Sequence, residues 1–180
     1  MGKQLNESDW LDQGLRELTK HGPGALKAEP LAKSLRISRG SFYWHFKNIG
    51  DFHDKLLKRW REQMTERVID AVNRESRSGL RLTFLMKTAL SANLLLERAV
   101  RAWATQFAAA EHTVRSVDET RIGFLRSLLE DAGMPEDQVR ARAVFIYWAF
   151  IGRVVTGDLP ALTEADLEAL SDLMLSSEGA

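Results

Sequence analysis

The sequence contains no cysteine, which excludes a disulfide framework and any thiolate metal site. It has four histidines, His21, His45, His53 and His112, and none stands in an HExxH or related metal-binding spacing with a carboxylate. A Gly-rich phosphate loop and a nucleophile elbow are also missing. The segment 38–41, Ser-Arg-Gly-Ser, opens a predicted helix with no strand before it, so it is not an elbow. These absences argue against an enzyme, a metal centre and a bound cofactor. The longest apolar run, 143–151, is far short of the roughly 20 residues a membrane helix requires. The opening residues, MGKQLNESDW, hold no apolar signal-like run. A cytoplasmic protein with no membrane partner is expected.

Net charge is missing too, since 25 basic residues balance 25 acidic ones. The balance hides a gradient. Residues 1–60 carry eleven Lys and Arg against seven Asp and Glu, a surplus of +4, which leaves −4 for the remainder. A basic head on an acidic body would meet a polyanion with one end only.

No strand-like alternation persists, and helical periodicity runs almost throughout. The first helix is predicted over 8–20, with Trp10, Leu11, Leu15 and Leu18 inward, and is stopped by His21-Gly22-Pro23-Gly24. A second is predicted over 28–35, where Pro30 is tolerable in the first turn. A third covers 38–46. A long fourth follows from Asn48, which has capping-box spacing with Asp51. Further helices are predicted at 80–97, 99–110, 113–132, 136–156 and 163–175. Gly133 suits the position just past a helix end, and Thr163 with Asp166 suits a cap.

The densest chemistry lies in 31–47, LAKSLRISRGSFYWHFK. Leu31, Ala32 and Leu35 form an apolar face, and Ser38 is placed to cap a second short helix. That helix mixes Arg39, Ser41, Tyr43, Trp44 and His45 with Phe42 and Phe46, and Lys47 follows. Phosphates and base edges call for cations, hydroxyls and flat rings on a rigid element. A helix-turn-helix packed through the two phenylalanines delivers them to a major groove.

At Ser38-Arg39-Gly40-Ser41-Phe42-Tyr43-Trp44-His45-Phe46-Lys47 the chain resembles the TetR family of one-component transcriptional regulators. The resemblance is strong over about 8–59 and diffuse beyond. It implies an all-α homodimer with an N-terminal three-helix DNA-binding domain and a C-terminal helical effector-binding and dimerisation domain. The boundaries expected here are 1–55 and 56–180. It also implies that Lys27, Ser38, Arg39, Gly40, Ser41, Tyr43, Trp44, His45 and Lys47 face DNA.

Three positions depart from the family pattern. Arg36 stands where glycine is usual between the two helices, and a left-handed residue there costs about 1–2 kcal/mol. Glu29 stands where some members carry a base-reading cation or polar residue. Its carboxylate repels phosphate, so no base contact is assigned to it. Ile49 replaces a second phosphate-binding lysine.

Later in the chain, 143–152 is apolar on all sides of a helix, which requires cover on several sides. Phe145 and Phe150, with Leu167, Leu170 and Met174 of the last helix, are expected to form a four-helix dimer interface. An effector pocket is expected from Phe84, Asn93, Trp103 and Gln106, with Phe107, Phe124, Tyr147 and Trp148. Aromatic walls with a few polar groups suit small molecules, although they also suit helical cores. The sequence reads as a homodimeric repressor released from operator DNA by a small-molecule effector. The alternative is an all-helical ligand-binding protein or enzyme with a vestigial helix-turn-helix.

Overall fold

The computed structural model describes residues 5–157 and 162–176, and every regular element among them is helical. The chain clusters into two compact units. The first holds the chain up to Met64 together with Leu95–Arg115, and the second holds Thr65–Leu94 with the chain from Ser116 onward.

In the first unit, α1 spans Glu7–His21. It begins one residue ahead of Ser8 because Asn6 caps it. The Asn6 side chain accepts from the Asp9 amide at 3.0 Å, and Asp9 accepts from the Asn6 amide at 2.9 Å. This reciprocal arrangement satisfies two amides that the helix itself leaves unbonded. Trp10, Leu11, Leu15 and Leu18 are buried, as their spacing predicts. Gly14 joins that face. A methyl group there would lie 2.7 Å from Phe52 Cζ and 2.9 Å from Leu56 Cδ1, so the missing side chain sets how closely α1 approaches the helix that carries Phe52 and Leu56. Gly22 ends α1 at φ 73° and donates to Leu18 O at 2.9 Å.

Helix α2 spans Ala28–Ser34 and buries Leu31 and Ala32. Its end carries the strain expected at Arg36, whose φ is +58°. The Arg36 amide donates to Lys33 O at 3.1 Å, and the Ile37 amide donates to Ala32 O at 3.0 Å. This is the two-bond Schellman closure usually built on glycine. Arg36→Gly should therefore raise stability, because relief of the left-handed strain outweighs the added freedom of the unfolded chain. A gain of up to about 1 kcal/mol in a urea melt is expected. An unchanged or lowered midpoint would mean the arginine side chain compensates for its backbone.

Helix α3, Ile49–Arg61, is capped by Asn48, which accepts from the Asp51 amide at 2.9 Å. The return bond differs from a capping box, since Asp51 accepts from Lys47 N at 2.9 Å. The long fourth helix expected from the sequence is not uniform. A π-helical turn, Glu62–Glu66, separates α3 from α4, Arg67–Asn73. Helix α6, Leu95–Ala104, packs on α1 and buries Val100 and Trp103.

The second unit is built from α4, α5 (Ser78–Ser91), the later part of α7 (Ala108–Asp131), α8 (Glu136–Thr156) and α9 (Glu164–Leu175). Leu82, Met86, Leu125, Leu129, Met134, Val139, Ala143 and Tyr147 form its core. Gly133 closes α7 at φ 81° with the same two-bond motif, Gly133 N to Glu130 O at 2.9 Å and Met134 N to Leu129 O at 3.0 Å. Helix α8 has the bounds expected from the sequence. Thr163 caps α9 reciprocally with Asp166, and the Thr163 hydroxyl and amide hold the Asp166 carboxyl below its ordinary pKa. Arg142 of α8 donates to the carbonyls of Met174 and Ser176 at 2.8 Å each, satisfying acceptors at the end of α9.

Candidate nucleic-acid interface

The segment expected as a third α-helix is a 3-10 helix, Arg39–Trp44. Ser41 N donates to Ser38 O at 3.1 Å and His45 N to Phe42 O at 3.0 Å, the short-range bonds that tighten such a turn. Ser38 precedes it with extended backbone, but its hydroxyl makes no capping bond, contrary to the N-cap read from its residue type.

What fixes the turn is aromatic packing beneath it. Phe42 and Phe46 are fully buried, with centroids 4.9 Å apart. Phe42 meets Trp10 edge-on at 5.4 Å, and Phe46 meets Phe52 edge-on at 5.0 Å. These are favourable aromatic geometries. Because the two anchors point inward, the residues between and beside them point out. Tyr43 is 51 % exposed and Trp44 88 %. Lys27, Ser38, Arg39, Gly40 and Lys47 are exposed as well. Ser41 and His45 are only half-buried. His45 turns partly inward, with its ring 6.4 Å from that of Trp10.

Arg39 is partly organised in advance. Its Nη2 donates to Tyr43 Oη at 3.4 Å, and its guanidinium lies 5.9 Å from the Tyr43 ring centroid. The hydrogen bond to Tyr43 raises the Arg39 pKa above its ordinary value, and the Glu29 carboxylate adds to that rise. Two other cations of this unit are committed elsewhere. Lys55 binds Glu7 at 2.8 Å, which raises its pKa. Arg59 binds Asp12 and the Ser8 hydroxyl, each at 2.8 Å. Those contacts join α1 to α3 and leave Lys27, Arg39 and Lys47 as the exposed cations of the predicted set. A cation, a phenol and an indole on one buttressed turn suit base edges, and flanking ammonium groups suit phosphates.

The residue before Lys27 is held by a histidine of α3. His53 Nε2 lies 3.0 Å from Leu26 O. The His53 ring meets Trp103 at 5.1 Å and Phe107 at 5.3 Å, both edge-on, while Trp103 and Phe107 stack at 5.4 Å. Two residues expected in an effector pocket thus belong to the first unit and pack on His53. Gln106 lies in that unit too and is exposed.

The other expected pocket residues lie in the second unit. Tyr147 is buried and donates to Asp118 Oδ1 at 2.5 Å. Phe124 is half-buried, Asn93 is exposed, and Phe84 and Trp148 are 40 % and 67 % exposed. Nearby in chain order, Arg121 donates to Thr65 Oγ1 of the π turn at 3.0 Å and lies 5.5 Å from the Phe150 ring centroid. Of the expected interface residues, Phe145 is exposed. Leu167 is buried in its own unit, and Phe150, Leu170 and Met174 pack on that unit's core. The outward apolar side chains of α8 and α9 are Phe145, Trp148, Val155 and Leu173. Leu173 belongs to the leucine stripe of the last helix, and Val155 could have been found seven residues beyond Trp148 on the same face of α8. Among the described residues there is no cluster of three or more potential metal ligands and no helix long and apolar enough to cross a membrane.

Residues 11–52 match the family described as bacterial regulatory proteins, tetR family. No curated protein sequence matches the chain. Solved structures share its fold. A protein from Saccharomonospora viridis solved in complex with choline superposes with a TM-score of 0.75 at 14 % identity, covering 95 % of this chain and 96 % of that one. A TetR transcriptional regulator from Legionella pneumophila gives 0.68 at 15 % identity, covering 94 % and 96 %. A member of the TetR family from Streptomyces coelicolor gives 0.67 at 20 % identity, covering 96 % and 98 %. Residues 11–52 thus carry the likeness to the tetR-family bacterial regulatory proteins, and the chain as a whole shares the fold of solved TetR-family regulators.

Proposed function

We propose that this chain is a homodimeric transcriptional repressor that binds double-stranded operator DNA and is released from it by a small molecule. The observation that carries the reading is the recognition turn. Its two phenylalanines are fully buried, while Arg39, Tyr43, Trp44 and Lys47 are exposed beside them. Two such turns, one per subunit, would enter successive major grooves of a near-palindromic site. The exposed apolar residues of α8 and α9 support a second copy as the partner.

Effector release is supported by the fold, which a choline-bound protein shares. We assign the effector to the second unit, where Tyr147 and Asp118 pair in the interior and Phe124 is half-buried. The compound is mostly apolar with one or two polar groups. It releases DNA by binding more tightly to the DNA-free population, and linkage then requires DNA to weaken effector binding by the same factor. The protein acts in the cytoplasm without a metal or cofactor.

The test joins two titrations. Duplex DNA from beside the gene is titrated at several salt concentrations, and specific binding that weakens steeply with salt is expected. A thermal-shift screen then seeks effectors. A true effector at a hundredfold excess over its dissociation constant stabilises by about 2.7 kcal/mol and lowers operator affinity. Stabilising compounds combined with no DNA binding at any salt would replace this reading with a helical ligand-binding protein.

A further inference from the structure

Glu29 is an exposed carboxylate on the first turn of α2, the helix that packs on the recognition turn. Arg39 opens that turn and is exposed as well. The two charges act on one another, since Glu29 contributes to the raised pKa of Arg39. Yet Arg39 is not consumed by a salt bridge among the described residues. Its described partner is the Tyr43 hydroxyl, at 3.4 Å. An acceptor-only group on the first turn of α2 and a donor-only group at the start of the turn packed against α2 are therefore both exposed on the part of the molecule that the proposed function turns toward DNA.

Repulsion from phosphate does not make such a carboxylate idle. In the major groove a guanine offers two acceptors, O6 and N7, while its paired cytosine offers a donor, the N4 amino group. A guanidinium matches the first and a carboxylate matches the second. Guanine and thymine present only acceptor atoms on that edge and would repel a carboxylate.

Resting on the reading of this chain as a DNA-binding regulator, we propose that Glu29 is a specificity-determining residue of the interface. Its carboxylate accepts a hydrogen bond from a cytosine N4 amino group beside the guanine taken by Arg39, and it rejects guanine and thymine at that position. Glu29 thus sacrifices general affinity for phosphate in return for selectivity at one base.

The experiment is selection of duplexes from a randomised library by the full chain, as wild type, Glu29→Ala and Glu29→Gln. The winning sequences are then titrated at fixed salt. For wild type, replacing the selected cytosine should cost roughly tenfold in affinity. For Glu29→Ala the preference at that position alone should flatten, while non-specific duplex binds as tightly or more tightly. Glu29→Gln should move the preference toward adenine, whose N6 and N7 suit a carboxamide. Circular dichroism melts of both variants separate these effects from loss of the acidic first turn of α2, which would lower stability without moving a base preference. The proposal is overturned if Glu29→Ala keeps the wild-type preference at every position and only binds all duplexes more tightly. Failure of wild type to enrich any sequence would instead overturn the DNA-binding reading itself.

Discussion

Arg39→Ala should weaken operator binding by about ten- to a hundredfold per half-site and relax the preference for guanine at the base it reads. In a dimer the loss is met twice. The size of the effect follows from preorganisation. Tyr43 holds the guanidinium through a hydrogen bond and through its ring, so part of the side-chain freedom is given up before binding. Lys47→Ala should behave differently. Its exposed ammonium follows the turn on a flexible four-carbon stem, which suits a phosphate better than a base edge. Its removal should weaken binding to all sequences alike. The slope of log affinity against log salt should fall by about one for each phosphate no longer neutralised. Tyr43→Phe offers an intermediate case, keeping the ring under Arg39 but removing the hydrogen bond. The measurement is fluorescence anisotropy on operator and scrambled duplexes across a series of salt concentrations. If Arg39→Ala and Lys47→Ala both titrate like wild type, the recognition surface lies elsewhere on the molecule.

The parts of this interface that were legible in the sequence are those fixed by local rules. The inward pair Phe42 and Phe46 could be read from spacing, as could the cap at Thr163, while the left-handed residue at Arg36 was implied by the family resemblance. Each depends on a few neighbouring residues. The helix over 136–156 was legible at its start, where Pro135 is followed by Glu136 and Asp137, which favour the positive dipole end.

Features that depend on distant partners were not legible. The segment Arg39–Trp44 is a 3-10 helix because Trp10 and Phe52, from α1 and α3, hold both phenylalanines. Nothing in its residue types distinguishes that from an α-turn. The π turn at Glu62–Glu66 lies inside an unbroken apolar stripe. The chain also returns to the first unit at α6 after forming α4 and α5, so Trp103 and Phe107 pack on His53. Periodicity shows that an aromatic residue faces inward. It does not show which interior receives it.

The same limit governs α8, where the apolar residues divide into two sets. Ala143 and Tyr147 are buried, and Ile146, Phe150 and Ile151 pack on the core of their own unit. Phe145, Trp148 and Val155 are 57 %, 67 % and 69 % exposed, and Leu173 of α9 is 60 % exposed. Scattered apolar side chains are ordinary on a surface. Phe145, Trp148 and Val155, however, share one helical face with Gly152, at the spacing by which one helix packs on another. A second copy of this chain is the expected cover, so wild type should sediment as a dimer at micromolar concentration without DNA. Trp148→Glu should give a folded monomer, because dimerisation would bury an unpaired carboxylate while the monomer leaves it in water. Its circular dichroism spectrum should match wild type. Leu170→Glu is the contrasting variant, since Leu170 packs on its own unit's core. It should lower the melting temperature before it changes assembly. The monomeric Trp148→Glu chain should also bind a full operator far more weakly than wild type, because its two recognition turns are no longer linked and each must find its half-site alone. A folded wild-type monomer in sedimentation, or a Trp148→Glu chain that still dimerises, would remove this face as the interface.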